Sequence, residues 1–320
     1  MLADRLTIFS NMVVFSSYAT QVVMSFMLLV MIFILYPRAS VSAKRINEVL
    51  DKETRIVNGT ITESENDLQG VVEFKNVSFQ YPDAEEPILK NISFKVKKGQ
   101  TVAFIGSTGS GKSTLINLIP RFYDATDGQI LVDGVDIKDY DIKFLNNKLG
   151  YIPQKAVIFN GTIKDNISFG ETKDGKPTDE EIKTAIEVAQ GTEFVEQMKD
   201  KYDSNLAQGG TNISGGQKQR LSIARAIARK PEIYIFDDTF SALDYKTDFA
   251  LRNALKKHTK DATILIVAQR IGTIKEADMI VVLEEGECVG MGTHEELLNK
   301  CEVYKEIAFS QLTKEELAHE

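Results

Sequence analysis

A glycine-rich segment, Gly106 to Thr114 with the sequence GSTGSGKST, follows the apolar run Thr101 to Ile105 and carries the residue types that bind phosphate groups. It fits the pattern G-x-x-x-x-G-K-[ST]. In such a loop backbone N–H groups converge on phosphate oxygens, Lys112 brings a positive charge to the β- and γ-phosphates, and the Ser113 hydroxyl can ligate Mg²⁺. The segment therefore predicts a nucleoside triphosphate site. The predicted contact residues are Gly106, Ser107, Thr108, Gly109, Ser110, Gly111, Lys112, Ser113 and Thr114.

A pair of carboxylates, Asp237 and Asp238, ends the apolar run Ile233 to Phe236. A carboxylate held at the end of a buried strand can accept hydrogen bonds from Mg²⁺-bound water. Two adjacent acidic residues can also begin a turn or cap a helix. Because the same chain carries a phosphate-binding loop, the pattern favours Asp237 as part of a magnesium site.

A third motif lies between these two, in the segment Asn212 to Gln217, which reads NISGGQ and runs into KQRLSIARAIARKP. In combination with the phosphate-binding loop it resembles the nucleotide-binding domain of an ABC transporter, in the exporter-type, multidrug-like branch. The resemblance covers Val71 to Leu312. It implies that ATP is the nucleotide, and that the signature residues contact ATP held by a partner chain. Those signature residues are Ser214, Gly215, Gly216 and Gln217.

The same resemblance assigns roles to three residues outside the motifs. Tyr81 matches an aromatic residue that stacks on adenine, although a plain core tyrosine is the alternative. Gln154, in the run GYIPQ, matches a glutamine that reaches Mg²⁺ or the attacking water, and Asp244 matches a loop that communicates across the dimer. The implied metal ligands are Ser113, Gln154 and Asp237. His294 is expected to be structural.

Two positions depart from the family pattern, and both concern hydrolysis. The family usually has Glu where this chain has Asp238, and His where it has Gln269. Asp is one methylene shorter, so its carboxylate falls about 1.5 Å short of the water, and a 1 Å misplacement can lower a rate about a hundredfold. Gln269 cannot become a cation, which weakens stabilisation of charge on the γ-phosphate. The site is thus predicted to bind ATP while hydrolysing it slowly.

An intact signature beside a weak site indicates a half of a heterodimeric exporter, whose signature completes the competent site of a second exporter subunit. A regulatory module that never hydrolyses ATP, and a homodimeric exporter with slow turnover, remain as alternatives. A soluble ABC ATPase of DNA repair or translation needs a long coiled-coil insertion or tandem cassettes, which the sequence lacks. A P-loop kinase has no use for the signature.

Composition excludes one class of partner. The chain has 320 residues, 43% of them hydrophobic, and a net charge of −8. Nucleic-acid binding over a large footprint needs a basic face, so no nucleic-acid partner is expected. The two cysteines, Cys288 and Cys301, have no metal-ligand spacing and suit a reducing cytosol.

An uncharged apolar stretch between Arg5 and Arg38 predicts a lipid membrane as a further partner. About 20 apolar residues span a bilayer, so one transmembrane helix is expected at roughly Val13 to Tyr36, with Pro37 marking its cytoplasmic end. By the positive-inside tendency, the basic residues that follow place the ATPase in the cytoplasm at the cell membrane. A signal peptide or a buried soluble helix fits less well.

The chain is accordingly divided into residues 1–50 (last transmembrane helix and cytoplasmic extension), 51–69 (linker and spacer), 70–312 (nucleotide-binding domain) and 313–320 (tail). The family carries six membrane helices per subunit, so a truncated membrane domain is expected and the transported small molecule stays unidentified. The predicted fold is α/β, with a P-loop core of parallel strands and a helical subdomain. Short β-rich runs, TVAFIG among them, indicate a small antiparallel sheet beside the core.

Overall fold

The structure is a computed structural model that describes residues 2–63, 68–170 and 175–311, without the side chains of residues 2 and 3. By its internal contacts the chain forms two compact units, Met1–Arg55 and Ile56–Glu320. Residues 64–67 of the predicted linker and the whole predicted tail, residues 313–320, lie outside the described residues.

Eleven α-helices lie in the described ranges. In chain order they are α1 Leu2–Leu50, α2 Lys112–Leu118, α3 Ile142–Lys148, α4 Ile163–Ile167, α5 Asp179–Val188, α6 Thr192–Gln197, α7 Gly215–Ala228, α8 Tyr245–His258, α9 Ile271–Ile274, α10 His294–Lys300 and α11 Glu302–Gln311.

Twelve β-strands lie in the same ranges. They are β1 Val72–Phe79, β2 Leu89–Val96, β3 Thr101–Gly106, β4 Asp127–Val132, β5 Val135–Asp136, β6 Leu149–Ile152, β7 Gly161–Thr162, β8 Asn205–Leu206, β9 Ile233–Asp237, β10 Thr263–Val267, β11 Met279–Glu284 and β12 Glu287–Gly292.

Helix α1 contains the predicted membrane span and extends beyond it. Its most apolar window has a mean hydropathy of 2.2, and large apolar side chains such as Phe15 and Phe33 are exposed within the unit. It is the one helix of the described residues long and apolar enough to cross a membrane. The prediction that the helix ends at Pro37 is wrong, because Pro37 lies inside it. A proline removes one hydrogen bond, to the carbonyl of Phe33, and the bonds on either side keep the helix continuous.

The segment that follows α1 is more than a spacer where it is described. The side-chain amide of Asn58 donates to Asp141 Oδ2 at 2.7 Å, and Asn58 Oδ1 accepts from the backbone of Ile142 at 2.8 Å. The backbone N–H of Gly59 donates to the Tyr140 carbonyl. These bonds attach residues 58–61 to the start of α3.

The second unit contains two main sheets. A four-stranded sheet has the order β2-β1-β4-β5 with antiparallel pairing, as the β-rich runs predict. A six-stranded sheet has the order β12-β11-β3-β10-β9-β6, in which only β12 is antiparallel. The TVAFIG run forms β3 of this second sheet, not of the antiparallel one. Its near-continuous burial is typical of a parallel strand covered on both faces.

The hydrophobic core has two clusters, and the side chains of β3 point alternately into one and the other. Val102 and Phe104 point to the face that packs with the antiparallel sheet, whereas Ala103 and Ile105 join the cluster that includes the helical subdomain. Successive side chains of a strand point to opposite faces. The helical subdomain consists mainly of α4 to α7, with Ile182 of α5 fully packed in this second cluster. The fold is thus the predicted α/β core with an antiparallel sheet and a helical subdomain.

Candidate functional site

The candidate site lies at the carboxyl ends of four adjacent strands. Gly106 ends β3 and Asp237 ends β9, whereas Gln269 lies two residues after β10 and Gln154 two residues after β6. These strands are neighbours in the order β3-β10-β9-β6. Open parallel sheets bind ligands at this edge. The phosphate-binding loop, Gln154, Asp238 and Gln269 line one cavity of about 400 Å³ there.

Two glycines of the loop are poorly replaced by any other residue, Gly106 because of a backbone clash and Gly111 because of its positive φ and a close neighbour. A Cβ on Gly106 would lie 1.9 Å from the Leu283 carbonyl oxygen. Gly111 has a φ of 95° and precedes α2, and a Cβ there would lie 2.7 Å from Leu89 Cδ2. Glycine tolerates both the left-handed backbone and the close approach. The spacing of the motif therefore follows from how the loop packs on its neighbours.

Lys112 holds the loop in shape. Its Nζ donates to the carbonyl oxygens of Gly106 at 2.9 Å and Ser107 at 2.6 Å, and to Ser110 Oγ at 3.2 Å. Burial lowers the pKa of the Lys112 ammonium, while the nearby carboxylates of Asp238 and Asp237 oppose that shift. The side chain is a positive charge close to where phosphates would bind.

Ser113 and Asp237 form the predicted magnesium pair. Ser113 Oγ donates to Asp237 Oδ1 at 2.7 Å. Mg²⁺ in nucleotide sites typically takes one or two protein oxygens and completes its shell with phosphates and water, so this pair fits the ion. No group of three or more His, Cys, Asp and Glu able to hold a metal occurs in the described ranges.

A tyrosine that sequence reasoning missed supports Asp237. The Tyr151 hydroxyl lies 3.3 Å from Asp237 Oδ2 and 2.8 Å from Asn117 Oδ1. Burial and the Asp237 carboxylate raise the pKa of Tyr151, so the hydroxyl stays protonated and can donate. Its place in GYIPQ, three residues before Gln154, was the available signal.

Asp238 is the point where three predicted residues meet. Its Oδ2 accepts from Gln269 Nε2 at 2.7 Å and from Gln154 Nε2 at 3.1 Å. Burial raises the pKa of Asp238, and the adjacent Asp237 adds to this, while hydrogen bonds from Gln154, Ser241 and Gln269 oppose it. Gln154 therefore contacts Asp238, and no contact with the Ser113–Asp237 pair is seen among the described hydrogen bonds.

The backbone of Asp238 is also unusual. It has φ 46° and ψ 30°, in the left-handed region, and its N–H donates to the Val267 carbonyl at 3.0 Å. Asp and Asn tolerate this region better than most residues with a side chain. The turn after β9 thus aims the Asp238 carboxylate toward Gln269, just beyond the end of the neighbouring strand β10.

Tyr81 is linked to the loop through its hydroxyl, which lies 3.1 Å from Thr114 Oγ1. Its ring is partly buried and makes edge contacts with Phe79 and Tyr123 at 4.8 and 5.1 Å between centroids. Tyr123, 39% exposed, is a second aromatic residue at this edge that the motif analysis did not select. The position beside the phosphate-binding helix suits a residue that contacts a flat base.

The signature residues are not part of this cavity. Ser214 begins α7 as its N-cap, accepting from Gln217 N at 3.3 Å while Gln217 Oε1 accepts from Ser214 N at 2.8 Å. Ser214 and Gly215 are exposed. Asp244 is likewise exposed and caps α8 by accepting from Thr247 N. The two segments predicted to face a partner are thus the starts of α7 and α8, and both are exposed to solvent in this chain.

His294 has the structural place predicted for it. It is buried, and its Nδ1 lies 2.6 Å from the Tyr304 hydroxyl. This bond joins α10 to α11, and neither residue lines the cavity at the phosphate-binding loop.

Comparison with known proteins decides what kind of domain this is. The family model described as ABC transporter matches residues 89–241, which include the loop, the signature and the Asp237–Asp238 pair. The chain carries an ABC transporter ATP-binding domain. The structure of a bacterial Atm1-family ABC exporter with ATP bound is similar at 32% identity and a TM-score of 0.79, over 87% of this chain and 48% of that one.

Sequence relatives of the ABC domain are of the same kind. An uncharacterized ABC transporter ATP-binding protein of Mycobacterium bovis is 44% identical over 94% of this chain and 52% of the relative. A Bacillus subtilis ABC transporter ATP-binding protein is 42% identical, over 95% and 52%. A Staphylococcus aureus protein, named for multidrug export as an ATP-binding/permease protein, is 45% identical over 81% and 44%. The chain spans about half the length of the curated relatives it matches.

Proposed function

We propose that this chain is the ATP-binding and ATP-hydrolysing part of a membrane exporter subunit, with a slow site of its own and a signature that completes a partner's site. One observation carries the proposal: the shortened carboxylate of Asp238 is already bonded to the Gln269 amide at 2.7 Å. ATP is the nucleotide, and Ser113 with Asp237 would hold Mg²⁺, which supplies charge compensation for the phosphates when bound.

The slow step follows from the chemistry of the two departures. A base for the attacking water must lie within hydrogen-bond reach of that water. Asp238 is shorter than Glu by about 1.5 Å, and two amides bonded to its Oδ2 hold the carboxylate in place. Gln269 offers a hydrogen bond and no positive charge, so it stabilises developing negative charge less than a protonated imidazole does. Neither change removes a residue of the phosphate-binding loop.

Export is inferred from α1 and from the relatives. The helix is apolar and exposed along its membrane-length window, and similar proteins are named as exporters. We infer that residues 1–50 belong to a membrane domain, that 51–69 connect it to the ATPase at 70–312, and that the ATPase faces the cytoplasm at the cell membrane. A small molecule is the inferred cargo.

The partner is inferred from the exposed signature. In the domain's dimeric arrangement ATP lies between the phosphate-binding loop of one chain and the signature of the other, and Ser214 to Gln217 are accessible for that contact. A weak site beside a complete signature favours a heterodimer, in which the partner carries Glu and His at the two catalytic positions. Asp244 is a second exposed helix cap that can take part in such a contact.

The same contact around Asp238 also favours a second candidate, a nucleotide-binding module that never hydrolyses ATP and acts as a conformational clamp. Both candidates bind ATP, and they differ in whether the site can turn over.

The deciding experiment measures phosphate release and ATP binding by the chain alone in lipid nanodiscs, so that no competent site of a second subunit contributes to the turnover. The variants are Asp238→Glu with Gln269→His, and Lys112→Ala as the control for background hydrolysis. The proposal expects slow turnover for the wild type and at least a tenfold gain for the double variant, with similar ATP affinity. ATP binding without turnover, in the wild type and in the double variant alike, supports the conformational clamp. Wild-type turnover at the rate of domains with Glu and His refutes the weak-site proposal.

A further inference from the structure

The last described residue of α11 reaches the loop that carries Gln269. The side-chain amide of Gln311 uses both of its ends there: Nε2 donates to the Gln269 carbonyl oxygen at 2.7 Å, and Oε1 accepts from the Ile271 N–H at 2.9 Å. An amide that donates to a C=O and accepts from an N–H has its orientation fixed by its partners. Gln311 therefore spans the backbone on both sides of Arg270.

The Ile271 N–H needs a partner from outside its own segment. Ile271 is the first residue of α9, where helical N–H groups have no intrahelical acceptor, and the N-cap Arg270 makes no side-chain cap. Upstream, the Ala268 N–H donates to the Phe104 carbonyl at 3.2 Å. The short loop is thus fixed to β3 before Gln269 and to α11 after it.

Helix α11 is itself firmly seated. Tyr304 and Ala308 are fully buried in the core cluster. Ile307 and Gln311 of the same helix line the cavity that contains Lys112. Helix α11 therefore forms one wall of the cavity at the phosphate-binding loop. Packing of Tyr304 and Ala308 fixes the position of its end relative to the loop 268–271.

We propose that Gln311 is a positioning residue, which holds the loop 268–271 so that the Gln269 side chain faces Asp238 and the γ-phosphate. This inference rests on the proposed function of the site as an ATP site. Gln311 acts through Gln269 and does not contact the reacting atoms. Since ADP has no γ-phosphate, a loss of this positioning weakens ATP binding and leaves ADP binding unchanged.

The test compares affinities for ATP and ADP, by competition with a fluorescent nucleotide, in the full chain. Gln311→Met keeps the volume of the side chain and removes both hydrogen bonds. We expect it to lower ATP affinity about five- to tenfold with less than about a twofold change for ADP. The matched control is Glu302→Gln, which removes an exposed ion pair with Lys305 on the same helix and changes neither affinity.

A double-mutant cycle separates positioning from general stability. In a Gln269→Ala background, Gln311→Met is expected to have no further effect on the ratio of ATP to ADP affinity, because the residue it positions is gone. Equal weakening of both nucleotides, or an undiminished effect in that background, overturns the inference. If the wild type binds neither nucleotide, the proposed function fails instead. Thermal unfolding of each variant confirms that it is folded.

Discussion

The side-chain amide of Gln269 donates to the Asp238 carboxylate at 2.7 Å, across the adjacent ends of β10 and β9. Hydrogen bonds to a carboxylate stabilise its charged form, and burial destabilises it. Here burial is the largest influence, so the pKa of Asp238 is raised in spite of its amide partners. The pair therefore keeps a partly destabilised carboxylate at a fixed position in the nucleotide cavity.

Asp238→Asn is expected to stabilise the protein at neutral pH. Folding raises the pKa of this carboxyl above the ordinary aspartate pKa of about 3.9. The free energy of unfolding therefore falls as the pH rises from about 3.9 through the pKa of the folded state, because ionisation is then less favourable in the folded protein. The asparagine variant does not ionise, and its carbonyl can still accept from both glutamines. Calorimetry without nucleotide is expected to show a gain of about 2 °C at pH 7.5 and a smaller gain near pH 4.5. The control is Asp83→Asn, because the Asp83 side chain is exposed. A gain in melting temperature that is the same at both pH values contradicts the reasoning.

Tyr81→Ala is expected to weaken ATP binding about tenfold, because base stacking on an aromatic ring is worth about 1–3 kcal/mol. Tyr81→Phe keeps the ring, loses only the hydroxyl contact with Thr114, and is expected to bind ATP nearly as the wild type does. Inorganic tripolyphosphate has no base, so its affinity is expected to be the same in all three proteins. Competition binding measures each value. A comparable loss for tripolyphosphate would show that Tyr81 acts on the loop instead of the base.

Gly215→Ala is expected to leave this chain's own site intact and to impair the partner's. A Cβ at Gly215 meets no atom within 4 Å, and alanine favours a helix over glycine by roughly 0.5–1 kcal/mol, so the fold is not harmed. Across the dimer, the added methyl group blocks close approach of the α7 backbone to phosphate. We expect ATP binding by the chain to be unchanged and the partner's phosphate release to fall at least tenfold. Gly272→Ala, on α9 with the same free space, is the matched control. Undiminished release would exclude the proposed role of the signature.

Sequence reasoning succeeded where the signal is local. The phosphate-binding loop and the strand ending at Asp237 each depend on a few neighbouring residues, and the structure has a loop and a strand at these places. Likewise the apolar pattern from Val13 to Tyr36 is helical throughout.

Contacts between residues that are far apart in the sequence could not be predicted from local patterns. Tyr151 meets Asp237, and Gln311 meets Gln269, only because the strand order brings β6, β9 and β10 together and α11 folds back on them. The same is true of Gln154, which pairs with Asp238. The strand TVAFIG was placed in the wrong sheet because its neighbours in sequence are antiparallel strands, whereas its partners β10 and β11 come more than 150 residues later.

The left-handed backbone of Asp238 has a consequence for the proposed gain of turnover in Asp238→Glu. Glutamate has a longer chain and does not share the tolerance of aspartate for that conformation, so lengthening the side chain adds strain to the turn, on the order of 1 kcal/mol. The variant proposed to turn over faster is thus expected to be the less heat-stable one, because the same added methylene group produces both effects.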